Sequence, residues 1–238
     1  MIRLRDAVRM LAGTRWSDRR GDADHGGVNR NAASGFRVQL YGDRALLVEV
    51  ADLPAVAAVR TALERSPLPG QRDLVPAAAT VLVVLDRAPS DLDVATVRRL
   101  VPEAPAAGPT AGAAVELPVV FDGADLADVA ELTGRSVRAV VAELTTVELT
   151  VAFGGFAPGF GYLSGLPDDL HLPRRATPRT RVPAGSVALA GPFAGVYPQA
   201  SPGGWQLVGR TEAVLFDVDR DPPALLSPGT SVRFRNVG

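Results

Sequence analysis

The sequence predicts an α+β protein in two lobes, a small α/β sandwich followed by a mostly β lobe. Three observations carry this. Between residues 35 and 102, two pairs of short apolar strands are each followed by an amphipathic helical pattern. Residues 103–114 form an Ala/Pro/Gly stretch without periodicity, a linker signal. From Gly154 to Thr211, glycine and proline fill about a third of the positions against a usual share of roughly 12%. That much backbone punctuation excludes helix and leaves short strands between shaped loops.

Residues 1–34 open with an amphipathic pattern (Ile2, Leu4, Val8, Leu11) and then turn polar and glycine-rich. They are expected to be a disordered or short-helix extension without a secretory apolar core, and His25 within them is given no role. From Phe36, alternating residues to Leu40 read as a half-buried strand, and Gly42-Asp43 as a turn into the strand Ala45–Val50. Asp52 caps a helix with Pro54 in its first turn and Val56, Val59 and Leu63 on its apolar stripe. Strands are expected near Asp73–Ala77 and Thr80–Asp86. Ser90 and Asp93 then form a capping box for a helix burying Val94, Val97, Leu100 and Val101.

The second lobe, residues 115–238, begins with a strand over Val115–Phe121. Residues 125–144 read as a helical hairpin: Leu126 and Val129 line the first helix and Gly134 ends it. Ser136 caps the second, with Val137, Val140 and Val141 facing inward. The pattern is that of a helix-turn-helix, but its second helix offers only Arg138 to a nucleic acid, so a packing hairpin is expected. Strands follow at Val147–Phe153, Ser186–Leu189, Gly195–Tyr197, Trp205–Val208, Ala213–Asp217 and Thr230–Arg235.

Composition narrows the chemistry. The 238 residues are 47% hydrophobic and 21% charged, with a net charge of −1, which gives no electrostatic case for nucleic acid or an anionic membrane. All 25 basic residues are arginine, excluding lysine chemistry, and the lack of cysteine excludes thiolate sites. Two histidines leave little for a metal site or a Ser-His-Asp triad, and no metal is expected. The longest apolar run, Ala77–Leu85, is far short of a membrane span, so the expected address is the cytoplasm.

The loops of 154–211 carry Arg174, Arg179, Arg181, Ser186, Tyr197, Ser201 and Arg210, a set suited to an anionic ligand. Arg174, Arg179 and Arg210 are the anion-facing candidates, with Ser186, Tyr197 and Ser201 as polar orienters. The loop-shaping candidates are Pro158, Gly159, Phe160, Gly185, Gly203, Gly204 and Trp205. Structural readings stand beside these. Arg174 and Arg179 could knit the loops together, Tyr162 and Tyr197 could be half-buried core residues, and Trp205 could fill the core with Gly203-Gly204 permitting its approach. His171 fits a surface role.

The order of motifs GFAPGFGYL (155–163), PRRATPR (173–179), VPAGSVALAG (182–191), VYP (196–198), SPGGW (201–205) and GRT (209–211) resembles the family of 5-oxoprolinase B subunits. That family is also called KipI-like, or allophanate hydrolase subunit 1, the first half of a carboxyltransferase domain. YGDRALLVEV, VPAAATVLVVLD and LPVVFDGADLADVAELTG extend the resemblance over roughly 36–235. It implies a ferredoxin-like first lobe, a cyclophilin-like β-barrel second lobe, and one component of an ATP-dependent complex that opens 5-oxo-L-proline to L-glutamate, inactive alone. ATP, with magnesium, would be shared with a C-type partner (allophanate hydrolase subunit 2-like), and an A-type partner would complete the complex. Two other roles stay open beside it: a carboxyltransferase-like component of an allophanate or urea pathway, and an inhibitor of a sensor histidine kinase. One departure stands out: Leu144 and Leu149 occupy places where the family often carries His and Tyr.

Overall fold

The computed structural model describes residues 35–103 and 114–238. The expectations for residues 1–34, and for the linker between Glu103 and Ala114, lie outside the described residues. The chain divides into two compact units, the first running to Pro105 and the second from Ala106.

In the first unit, β1 (Arg37–Tyr41), β2 (Ala45–Glu49), α1 (Leu53–Arg65), β3 (Gln71–Pro76), β4 (Thr80–Leu85) and α2 (Asp91–Glu103) follow in that order. The sheet runs β1-β2-β4-β3 with every neighbour antiparallel. Val38, Leu46, Val48, Val81, Val83 and Leu85 share one strand face and pack with Val56, Val59 and Leu63 of α1 and Val97 of α2, so both helices cover the same face. Asp52 accepts from the Ala55 N–H at 2.9 Å as N-cap of α1. Asp93 is buried, accepting from the Ser90 N–H and hydroxyl, both at 2.7 Å, and from both arms of Arg87. Leu40, expected to be half-buried, is exposed because it lies at the far end of an edge strand.

The second unit holds β5 (Ala114–Val119), α3 (Leu126–Leu132), α4 (Val137–Thr146), β6 (Leu149–Gly154), β7 (Gly161–Ser164), β8 (Arg179–Val182), β9 (Ser186–Ala190), β10 (Phe193–Val196), β11 (Ser201–Gly203), β12 (Gln206–Arg210) and β13 (Ser231–Asn236). Seven strands form one sheet in the order β12-β9-β10-β7-β6-β13-β5, with β5 and β13 parallel. Beyond β5, Val120 exchanges two 2.9 Å backbone hydrogen bonds with Arg210 at the end of β12, so the two sheet edges meet and the barrel is nearly closed. Its core includes Leu117, Val140, Leu163, Leu189, Val208 and Phe234. Leu144 and Leu149 are fully buried in this core, which is packing work that leucine performs.

Three expectations for this unit are corrected. Val137 does not face inward but is 42% exposed, since the inward stripe of α4 is Val140 and Leu144. The strand expected from Val147 starts at Leu149, because the Val147 N–H is used in closing α4 on the Glu143 carbonyl. No strand forms over Ala213–Asp217; a single bridge joins Phe216 to Ala224. The facing segment begins Pro222-Pro223, which has no N–H to donate, and Arg220 takes the Val214 carbonyl.

Candidate functional site

The motif loops of the second unit come together around a buried carboxylate and an aromatic cluster. Asp125, at the N-cap of α3, makes no side-chain bond to its own helix. Its carboxylate, 1% exposed, instead accepts from both arms of Arg179 (2.8 and 2.7 Å), from Arg175, and from the Leu207 N–H of β12 at 2.7 Å. Burial pushes this carboxyl up, but the Arg179 fork, the Leu207 N–H and the charges of Arg179 and Arg175 outweigh it and hold it below the usual carboxylate range. The backbone of the same segment joins in: the Asp125 N–H donates to the Leu207 carbonyl, and Arg175 N–H to that of Gly204 at 2.7 Å. The loop from Pro173 to Arg179 is thus tied at Arg175 and at Arg179, with Arg174 next to the first tie.

The second feature is a run of edge-to-face aromatic contacts. Phe160 sits 5.5 Å from both Tyr197 and Trp205, and 5.0 Å from Tyr162, which stacks on Phe153 at 4.4 Å. Phe156 continues the run to the surface, 6.0 Å from Tyr197 and 40% exposed. Its backbone has φ +67°, and the Ala157 N–H closes a three-residue turn on the Gly155 carbonyl at 2.7 Å. A phenylalanine in the left-handed region at the centre of such a turn is strained, and strain of this kind collects at functional sites. Burial pushes the Tyr197 phenol up to about 12 and raises that of Tyr162, while the Arg174 charge pulls both the other way.

Beside the clamp lies an open cleft of about 680 Å³, lined by Asp128, Glu131 and Leu132 of α3, by Arg174–Thr177 and by Gln206. Gln206 is buried; its amide nitrogen donates to the Pro173 carbonyl at 3.0 Å, while its Oε1 has no partner among the described residues.

The sequence candidates separate accordingly. Arg174 lines the cleft and, among the described residues, pairs with no carboxylate. Arg179 does not face an anionic ligand; its fork is taken by Asp125, so it knits the loop through a carboxylate. Arg210 is exposed and pairs with Asp122 at 2.9 Å, and Arg181 is exposed on β8. Ser186 is no orienter: it is buried, and its hydroxyl donates to the Pro183 carbonyl at 2.8 Å. Tyr197 is a core residue of the aromatic run. Ser201, on β11, keeps a buried hydroxyl without a partner among the described residues. His171 is on the surface, its Nε2 3.1 Å from the Leu166 carbonyl.

Among the loop-shaping residues, Gly159 (φ +82°) carries the turn from Pro158 to Phe160, where a Cβ would lie 2.7 Å from Phe216. Gly185 (φ +79°) lies under the Thr211 carbonyl. Gly203 makes room for Tyr197 and not for Trp205: a Cβ there would stand 2.3 Å from the tyrosine oxygen. Trp205 owes its space to Gly195, and Gly204 has only ordinary contacts with Pro178. The sequence reading missed Asp125, Arg175 and Gln206. Their one legible signal was position, since Arg175 and Gln206 sit beside singled-out residues.

Residues 36–226 match the family model described as carboxyltransferase domain, subdomain C and D. The chain is 44% identical over 208 residues to the 5-oxoprolinase B subunit of Escherichia coli O157:H7, covering 83% of this chain and 94% of that one. It is similar to the crystal structure of TTHA0988, with 37% identity and a TM-score of 0.67 over 82% of this chain; it spans only 40% of that longer chain. The Kluyveromyces lactis urea carboxylase shares the fold alone, with 21% identity and a TM-score of 0.66 over 85% of this chain and 22% of that one.

Proposed function

The chain belongs to the family of carboxyltransferase domain, subdomain C and D, proteins, and from that premise we propose that it serves as the B subunit of a 5-oxoprolinase complex. The observation that carries this reading is the 44% identity sustained over nearly the whole length of the Escherichia coli B subunit. In this reading the complex opens the lactam of 5-oxo-L-proline to L-glutamate with hydrolysis of ATP, in the cytoplasm, and the chain is inactive alone. No helix of the described residues is long and apolar enough to cross a membrane. The partners are a C-type and an A-type protein of the same complex. The ferredoxin-like and cyclophilin-like descriptions of the two units belong here too; the β1-β2-β4-β3 order and the edge-closing Val120–Arg210 bridge support them.

Of the three arginines first singled out, Arg174 is the one with no carboxylate partner among the described residues, which suits it to a substrate carboxylate. The cleft beside it carries Asp128 and Glu131 opposite Arg174 and Arg175. ATP and its magnesium belong, in this reading, to a site shared with the C-type partner.

Co-expression with the neighbouring genes of the complex, followed by assay of glutamate release from 5-oxoproline with and without ATP, tests the reading. ATP-dependent release that disappears without this chain supports it. A stable complex lacking that activity overturns it in favour of a carboxyltransferase substrate. In the active complex, Arg174→Ala is expected to lower kcat/KM at least tenfold with the circular dichroism spectrum unchanged, whereas Arg210→Ala stays near wild type.

A further inference from the structure

We propose that the segment Ala213–Val218 is an open strand edge, onto which the C-type partner adds an extended segment of its own chain. Burial alternates along it: Leu215 is buried, whereas Val214 (62%), Phe216 and Val218 (78%) are exposed. Three large apolar side chains on the outer side of one short stretch mark a surface that lacks its cover. The backbone agrees. The Asp217 N–H donates to the Pro223 carbonyl and the Leu215 carbonyl accepts from the Leu225 N–H, both at 2.9 Å, so residues 215 and 217 are spent on the inner side. The residue between them points its N–H and carbonyl the other way, and those of Phe216 have no partner among the described residues. The edge is held in place from beneath by Gly159, where an added Cβ would stand 2.7 Å from the Phe216 Cβ.

Such an edge takes a peptide by strand addition, with main-chain bonds to Phe216 and apolar residues at alternate positions against the exposed side chains. Glu212, Asp217, Asp219 and Asp221 border it against Arg220, so the incoming segment is basic at its ends. A second copy of this chain would bring the same carboxylates alongside, which disfavours self-pairing. The matched family is only subdomain C and D of a carboxyltransferase domain, and this chain spans only 40% of TTHA0988, so the fitting occupant is the remainder of that domain. That this remainder is the C-type partner rests on the function proposed above.

The test reads exchange and assembly with the co-expressed C-type protein. The Phe216 and Val218 amides are expected to take up deuterium at least about tenfold more slowly in the complex than in the chain alone. Val214→Lys and Val218→Lys, both at exposed positions, are expected to weaken the Kd for that protein at least about tenfold. Leu92→Lys, at an exposed position of α2, is expected to leave it within about twofold. Unchanged exchange, or a Kd moved no more by Val218→Lys than by Leu92→Lys, overturns the inference. A chain that dimerises alone through this edge, and loses the dimer with Val218→Lys, overturns it in favour of a second copy. Glutamate release by a complex indifferent to both valine variants overturns the inference and leaves the proposed function standing. Assembly through this edge without glutamate release in any combination does the reverse.

Discussion

At Asp125 a carboxylate 1% exposed holds two arginines and a backbone N–H, and everything it holds belongs to a loop or strand far along the chain. Removing the carboxylate leaves those cations without their buried partner, so Asp125→Ala is expected to cost about 3–5 kcal/mol in urea denaturation. Because the folded carboxyl is held below its ordinary value, the clamp's stabilisation is complete above the unfolded value of about 3.9 and is lost as pH falls through the lower folded one. The stability gap between wild type and Asp125→Asn is accordingly expected to be largest near pH 7 and to shrink below about pH 4. At Gly203 the argument is steric: a Cβ 2.3 Å from the Tyr197 oxygen forces that ring to move. Gly203→Ala is expected to change the near-ultraviolet dichroism of the aromatic run and to destabilise the unit by about 1–3 kcal/mol. The arginine cluster was legible in the sequence because residue type and loop context sufficed to flag it. What each arginine does was not, because the deciding partner, Asp125, lies 50 or more residues upstream and looks in sequence like an ordinary helix cap. Gln206 was hidden for a similar reason, since a glutamine inside a buried strand announces nothing until its amide is seen with one end tied and the other free.

Among the elements, the hairpin of α3 and α4 separates pattern from placement. Gly134 at φ +64° and the Ser136 hydroxyl accepting from the Ala139 N–H end one helix and start the next as their residue types dictate. Valine at 137 and at 140 read alike as apolar, yet only the second points at the barrel. Leu144→Ala is expected to cost about 2–5 kcal/mol in a denaturant titration, while Val137→Ala stays within about 0.5 kcal/mol of wild type. Strands β7, β8 and β11 escaped the sequence reading because each is only three or four residues long and two of them contain glycine or proline, so two-residue alternation has no room to register. The segment Ala213–Asp217 failed in the opposite direction: its alternation suits a strand, and prolines in the facing segment deny it a ladder.

For the whole molecule, the α+β class was legible because both lobes keep their periodicities apart, helix–strand alternation in one and turn-punctuated strands in the other. The strand order was not legible, because joining β12 next to β9 and β13 between β6 and β5 depends on contacts across the chain. The two cores consist of separate sets of residues. Leu63→Ala and Leu144→Ala share no packing neighbours among those sets, so their combined cost is expected to equal the sum of the single costs within about 0.5 kcal/mol, as double-mutant denaturation would read.

The meeting of Val120 with Arg210 has a consequence for how the barrel breathes. A sheet whose ends join offers no free row of donors to another chain, which guards it against edge-to-edge fibril growth. Here that protection rests on one paired position, Val120 with Arg210, continued by the Gly123 and Asp125 N–H groups donating to the Val208 and Leu207 carbonyls. An irregular junction opens more readily than a regular ladder, so deuterium should enter the Val120 and Arg210 amides before those of the four-pair β9–β10 ladder.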